Sequence, residues 1–449
     1  MNPNSLTEMQ ARLIDYIKTR TYVDPDLYAK YDVKRGLRNS NGTGVLVGIT
    51  SVSDVVGYKI ENGQKIPTEG KLLYRGISLE DLVKSYEDED RMGYEEVIFL
   101  LLFGKLPTQK ELNSFTRSLS ERMEFPDAFT EDVILKNPSG NVMNKLLRTL
   151  LALYSYDENP EDTSVENVLL QSINLVAKMP LMIAYAHRAQ KHYFEQDSLV
   201  LHRPKHGCGI AENFLHLIRD DKAYSPEEAK LLDILLIVHA DHGGGNNSAF
   251  ATHVVSSSGT DTYSAIATAV ASLKGPKHGG ANLMVAQMIE DLKATVPNWT
   301  DRGAVMDYLR GILRKENFNK KGLIYGMGHA VYTVSDPRAV LLKARAQKLA
   351  ETTGYHDDFQ LLSDVESCTR ELMEEKGRPI CANVDLYAGL VYSMLGLDKH
   401  LYTPMFALAR TAGWCAHRLE QIQDDKIMRP AYVNLTSPND YVRIADRVD

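Results

Sequence analysis

Four short segments gather the residue types that move protons and hold anions. They are His239-Ala240-Asp241-His242, Gly275-Pro276-Lys277-His278-Gly279-Gly280, Gly326-Met327-Gly328-His329 with Asp336-Pro337-Arg338 close behind, and Asn383-Val384-Asp385-Leu386-Tyr387. His242 precedes three glycines and His278 precedes two. Glycine lets the backbone approach a ligand closely or take a positive φ. A histidine beside such a turn can present a ring nitrogen to a bound oxygen. Two such pairs flanking one Ala/Ser/Thr-rich stretch point to a site built from convergent loops.

Each segment also has an ordinary reading. His239 and His242 could be satisfied polar groups at a helix end, and His329 a loop histidine. Arg338 falls in a helix first turn, where its charge is unfavourable, and that mismatch favours a ligand role. Local sequence fits Asp385 equally well as an N-cap or as a functional carboxylate. His239 and His242 are spaced i,i+3 with Asp241 between, yet no HExxH and no further ligand at metal spacing accompanies them, so no metal is expected. No G-x-S-x-G elbow supports a serine hydrolase.

The elements that must position these groups are mostly helical. Residues 5–20 read as a short amphipathic helix. Residues 44–56 and 57–74 are the most strand-like, and Glu61-Asn62-Gly63 is a hairpin signal. Thr108-Gln109-Lys110-Glu111 is a capping box. Ser225-Pro226-Glu227-Glu228 combines an N-cap, proline at N1 and first-turn acids. Residues 165–190 contain Pro180 and read as two helices or one kinked helix. Residues 241–282 enclose two closely packed helices, 322–336 is a glycine-rich loop, and Pro337 opens a helix. Residues 358–375, 384–395 and 403–423 complete the pattern. The predicted fold is mainly α with a small β element near the N-terminus.

The chain has 449 residues, 44% hydrophobic and 24% charged, with a formal net charge of −8. That is an ordinary globular composition with ample core. No basic run offers itself to nucleic acid or an anionic membrane. No stretch reads as a membrane span, and no targeting segment is recognised, so a cytoplasmic location is expected. The four cysteines form no CxxC and read as reduced core thiols.

Together the segments resemble citrate synthase, in order from about Gly44 to Arg429. The strings that carry the resemblance are HADHGGGNNSAFATH, GPKHGGAN, GMGHAVYTVSDPRA and NVDLYAG, with LLYRGISLEDL, LLFGKLPT, ALARTAGWCAHRLEQ and Arg429-Pro430 in support. The resemblance implies a homodimer of mainly helical, two-domain subunits: a large domain of residues 1–277 and 390–449, and a small domain of residues 278–389. It implies condensation of acetyl-CoA, a co-substrate and not a bound cofactor, with oxaloacetate, then hydrolysis of the citryl thioester.

It also implies roles. Asp385 is the base, His278 donates to the thioester oxygen, and His329 polarises the oxaloacetate ketone. His242, Arg338 and Arg410 contact oxaloacetate, with Arg429 supplied across the dimer interface. Ser248 helps place the hydrolytic water. Ile324, Tyr325, Gly326, Met327 and Gly328, with Asn383, form the CoA-binding set. This chain departs from the pattern at Thr333, where many relatives have an arginine near the CoA phosphates; Lys343 or Arg345 are the substitutes nearby. Gly243 replaces a commonly acidic residue. A 2-methylcitrate synthase using propionyl-CoA would share the same trio. A catalytically silent CoA-binding regulator would not need all of it.

Overall fold

The computed structural model describes residues 8–62, 64–424 and 426–447. Two compact units emerge, one of residues 1–47 with 428–449, the other of residues 48–427. In the first, helices span Glu8–Arg20 and Asp26–Lys30, and Arg38 bridges Gly44. The start of the expected 5–20 helix lies outside the described residues. Arg429 belongs to this unit and is exposed.

The larger unit holds one antiparallel sheet, β1 (Ser53–Glu61), β2 (Gln64–Tyr74) and β3 (Ile77–Ser78), in that order. The register runs from Ser53↔Tyr74 to Glu61↔Gln64 and slips between Val56 and Tyr58. The expected boundary was different. Residues 45–52 join no ladder, and Gly57 lies inside β1 rather than opening a second strand. Packing explains that glycine, because a Cβ there would sit 2.8 Å from the Val331 carbonyl oxygen. The hairpin turn carries Asn62 at φ 50°; Gly63 lies outside the described residues.

Helices make up most of the rest, and the local signals work as read. Thr108 and Glu111 exchange both capping-box bonds, as do Ser225 and Glu228. Pro180 does not break its element: one helix runs from Val165 to Glu195. This helix is long and apolar enough to cross a membrane, which the sequence reading missed, but it is mostly buried within the protein. That is how a core helix passes the same test. The central stretch forms helices Asn247–Ser256 and Thr262–Leu273. Buried Ala249, Ala265 and Ala269 lie along them, and their small side chains suit close helix packing.

The Tyr402–Gln421 helix is buried almost throughout, including Arg410, Trp414, His417 and Arg418. It reaches the His242 loop at Gly413, whose N–H donates to the Ala240 carbonyl at 3.2 Å. A Cβ on Gly413 would strike both that carbonyl and the Asp241 carboxylate.

Candidate active site

Each of the four segments sits at a helix end. His242 follows the Pro226–His239 helix, and His278 lies in the turn that opens the Ala281–Thr295 helix. His329 lies in the irregular loop before the Pro337–Thr353 helix, which Asp336 caps. Asp385 is in the first turn of the Val384–Met394 helix. Its N-cap is Asn383, whose Oδ1 accepts the Asp385 N–H at 3.0 Å. The capping alternative therefore falls to Asn383, and the Asp385 carboxylate is not used as the cap.

Asn383 also straps the CoA-loop candidate to this helix. Its Nδ2 donates to the Gly328 carbonyl at 2.9 Å, its N–H to the Gly326 carbonyl at 2.9 Å, and Gly328 N–H donates to Cys381 at 2.7 Å. Gly326 has φ 82°, and a Cβ there would come 2.9 Å from the Leu386 side chain. No other residue type meets both demands easily. Residues 324–328 and Asp385 are thus held as one piece.

His278 and His242 are held neutral for identifiable reasons. Burial pushes His278 down to about 4, with the Arg410 charge adding to it. Burial, then the Arg338 charge, holds His242 well below the ordinary value. His329 Nδ1 accepts the N–H groups of Val331 and Tyr332, both at 3.1 Å. The neutral ring must then carry its proton on Nε2, which becomes a donor. His278 Nε2 lies 2.9 Å from Ser248 Oγ, which also receives the Trp414 indole N–H at 3.0 Å. The Ser248 hydroxyl has one proton and two acceptors, His278 Nε2 and Asn246 Oδ1 at 2.9 Å. When that proton goes to His278, the neutral ring carries its own on Nδ1.

Asp385 is pushed up to about 7, by burial first, against the lowering charges of Arg338 and Arg410. The residue is partly exposed, yet its Oδ1 is buried and has no hydrogen-bond partner. Arg410 donates from Nε to the His239 carbonyl at 2.6 Å, while Nη1 and Nη2 are buried without partners. His242 Nε2 and His239 Nε2 are likewise buried and unpartnered. Each such group costs about 1–3 kcal/mol when left unsatisfied. The open guanidinium of Arg410 beside His242 defines a place prepared for an anion; His239, whose Nδ1–H donates to the Leu235 carbonyl at 2.8 Å, has a bare Nε2 and offers no donor. Arg338 differs: Nε and Nη2 fork onto Asp336 at 3.0 and 2.7 Å. The rings of His242 and His329 stand 5.0 Å apart, perpendicular.

Behind the His242 loop runs a buried polar chain. Gln421 meets His253 Nδ1 at 2.8 Å, His253 Nε2 meets His417 Nδ1 at 3.1 Å, and His417 Nε2 meets Asp241 Oδ2 at 3.2 Å. The same oxygen accepts the Ser53 hydroxyl and the Gly243 N–H. Asp241 thus serves the loop's geometry. His253, His417 and Glu420 also bring ligand-type atoms within 4.8 Å of one another, a grouping the sequence did not suggest. The suggested phosphate cations are already engaged: Lys343 with Glu366 at 2.7 Å and Arg345 with Glu87 at 2.6 Å. Sequence reasoning also passed over Tyr332, which reads as an ordinary core aromatic between Val331 and Thr333.

Comparison with known proteins places this geometry. The description "Citrate synthase, C-terminal domain" matches residues 40–431. The chain is 36% identical to a citrate synthase of Deinococcus radiodurans over 85% of its length and 94% of that protein. A 2-methylcitrate synthase of Shewanella oneidensis is 32% identical over 84% and 92%. Among solved structures, citrate synthase from Pyrobaculum aerophilum aligns with TM-score 0.75 at 30% identity, covering 90% of this chain and 94% of that one. A ternary complex of carboxymethyl coenzyme A and oxaloacetate with the Thermoplasma acidophilum citrate synthase also gives 0.75, at 26% identity over 92% and 99%. The chain belongs to the citrate synthase family. Its activity is that family's acyl transfer, of the citrate (Si)-synthase type.

Proposed function

We propose that this site condenses acetyl-CoA with oxaloacetate and hydrolyses the resulting citryl thioester, with each residue in the role given by its position. The Asp385 carboxylate takes a proton from the thioester methyl. A thioester methyl is a very weak carbon acid, so the base succeeds only if charge on the enolate oxygen is met as it develops. His278 meets it through Nδ1–H, with Ser248 giving its hydroxyl proton to Nε2. The enol carbon attacks the oxaloacetate ketone, whose oxygen is polarised by His329 Nε2–H. Arg410, Arg338 and His242 hold the oxaloacetate carboxylates. Water, placed with help from Ser248, then cleaves the thioester and releases the CoA thiol.

The observation that carries this reading is Asp385: a carboxyl raised to about 7, with an unpartnered oxygen. Its value lies where a general base works at neutral pH. We assign residues 324–328 with Asn383 to CoA, the latter through its hold on Gly328. Residues 278–389 would move as a small domain against 1–277 and 390–449, closing over both substrates and excluding water from the enolate.

The test is thiol release with oxaloacetate and either acyl-CoA. Faster turnover with acetyl-CoA supports the proposal, and a higher kcat/KM with propionyl-CoA would make the enzyme a 2-methylcitrate synthase. No release with either would leave only a CoA-binding role. One methylene is worth about 1–3 kcal/mol in such a pocket, so few side chains decide the outcome.

We further propose a cytoplasmic homodimer in which Arg429 completes the partner's site. Arg429→Ala and His278→Ala homodimers should both be inactive, and mixed dimers should recover activity because one of their two sites carries neither change. Verified mixed dimers without activity would place each site within one chain.

A further inference from the structure

Tyr332 is fully buried and touches three of the side chains given to oxaloacetate. Its ring stacks on His329 at 4.7 Å and 25°. It meets His242 edge-on at 5.6 Å, and the Arg338 guanidinium lies 6.0 Å from its centroid. Its own N–H is one of the two donors that fix the His329 tautomer. Its hydroxyl donates to the Lys71 carbonyl on β2 at 3.3 Å. The sheet makes room for it with glycines: a Cβ at Gly57 or at Gly70 would press on the Tyr332 ring. At Gly70 it would also strike the Ser335 carbonyl. Ser335 in turn donates to Glu69 and accepts the Gly70 N–H at 3.1 Å.

We propose that Tyr332 is a positioning residue for oxaloacetate activation: its stacked ring, seated on the β1–β2 hairpin, fixes the plane of His329 so that Nε2–H points at the ketone. The proposal rests on the His329 role given above. Two backbone bonds to Nδ1 hold one corner of the ring. The stacked aromatic face, 4.7 Å away and tilted by 25°, sets the plane in which the rest of it lies. The hairpin thereby acquires a task in the reaction although none of its side chains is assigned to a substrate.

The experiment compares wild type with Tyr332→Leu and Tyr332→Phe. It reads KM and kcat, and the infrared stretch of the ketone in bound, carbon-13-labelled oxaloacetate. Wild-type enzyme should lower that stretch relative to free oxaloacetate. Tyr332→Leu should lose most of the lowering and raise the oxaloacetate KM about tenfold, the scale of one lost aromatic pair. The acetyl-CoA KM at saturating oxaloacetate should move far less. The conservative Tyr332→Phe keeps the ring and should restore both readouts to within about threefold. Tyr332→Met replaces Leu if that variant does not fold. A full ketone shift in the Leu or Met variant, or a Phe variant as impaired as Leu, would overturn the proposal. Wild-type enzyme that binds oxaloacetate with no ketone shift would remove the His329 role itself, and Tyr332's with it.

Discussion

The Tyr402–Gln421 helix carries two fully buried arginines, Arg410 and, about two turns further along, Arg418. Burial lowers both to about 10. Their partners differ. Arg418 gives Nε to Thr262 Oγ1 at 3.1 Å, Nη1 to Ser256 Oγ at 3.1 Å, and Nη2 to the Thr260 carbonyl at 2.8 Å. Arg410 satisfies only Nε. Two carboxylates repeat the contrast. Burial alone would raise both Asp241 and Asp385. Three donors to Oδ2, with the His417 and Arg410 charges, hold Asp241 well below the usual range, whereas Asp385 stays up at about 7. Burial and charge are thus shared by the scaffold and the site. What separates them is how far each buried group is already bonded: Asp241 keeps an open Oδ1 but gives Oδ2 to three donors, and Arg418 uses all three nitrogens where Arg410 leaves Nη1 and Nη2 open.

The widest test of that contrast is Asp385→Asn. It removes the proton acceptor and keeps the shape, so kcat should fall by about three orders of magnitude or more, at the upper range of base catalysis. Oxaloacetate should still bind, because its contacts lie on other residues. Near-normal turnover of the purified variant would take Asp385 out of the mechanism.

The two arginines should respond oppositely to Met. Arg410→Met should lower kcat/KM for oxaloacetate about a hundredfold, the scale of a charge-assisted pair, with a melting temperature no lower than wild type. Arg418→Met leaves its three oxygen partners without a donor, so it should cost stability by about 2–4 kcal/mol while the oxaloacetate KM barely moves. If Arg410→Met unfolds the protein and Arg418→Met raises KM, open and satisfied arginines do not divide site from scaffold.

A smaller effect tests the same idea through pH. The folded protein favours protonated Asp385, because its value there, about 7, exceeds that of an unfolded carboxyl, about 3.9. The stability cost of ionising it is absent below the unfolded value and fully present above about 7. Asp385→Asn should therefore raise the melting temperature at pH 8, with a smaller gain at pH 5. A gain that does not depend on pH would mean Asp385 is not held in its protonated form.

Sequence alone determined the helical class, the hairpin and the capping boxes, because these depend on neighbours close along the chain, and it singled out the four segments that carry the candidate site residues. Within Gly326 through His329, the positive φ of Gly326 and Gly328 is a geometry that few residue types other than glycine accept. The resemblance named Asp385 as the base, but the local residues alone did not single it out. Asp241 and Asp385 look alike in a string, and Ser53 and His417, which hold Asp241 down, are remote in sequence. The resemblance picked out Arg410, but composition and spacing could not show why Arg418 differs, because its satisfaction depends on Ser256, Thr260 and Thr262 arriving from other elements. Pro180 left two helices or one kinked helix open, and the structure has one, running from Val165 to Glu195. Tyr332 was invisible for the same reason: its work lies in a hairpin more than two hundred residues earlier, seated at Gly57 and Gly70. Those contacts form only when the chain has folded, since each needs two distant backbones to meet at a distance that a single Cβ would forbid.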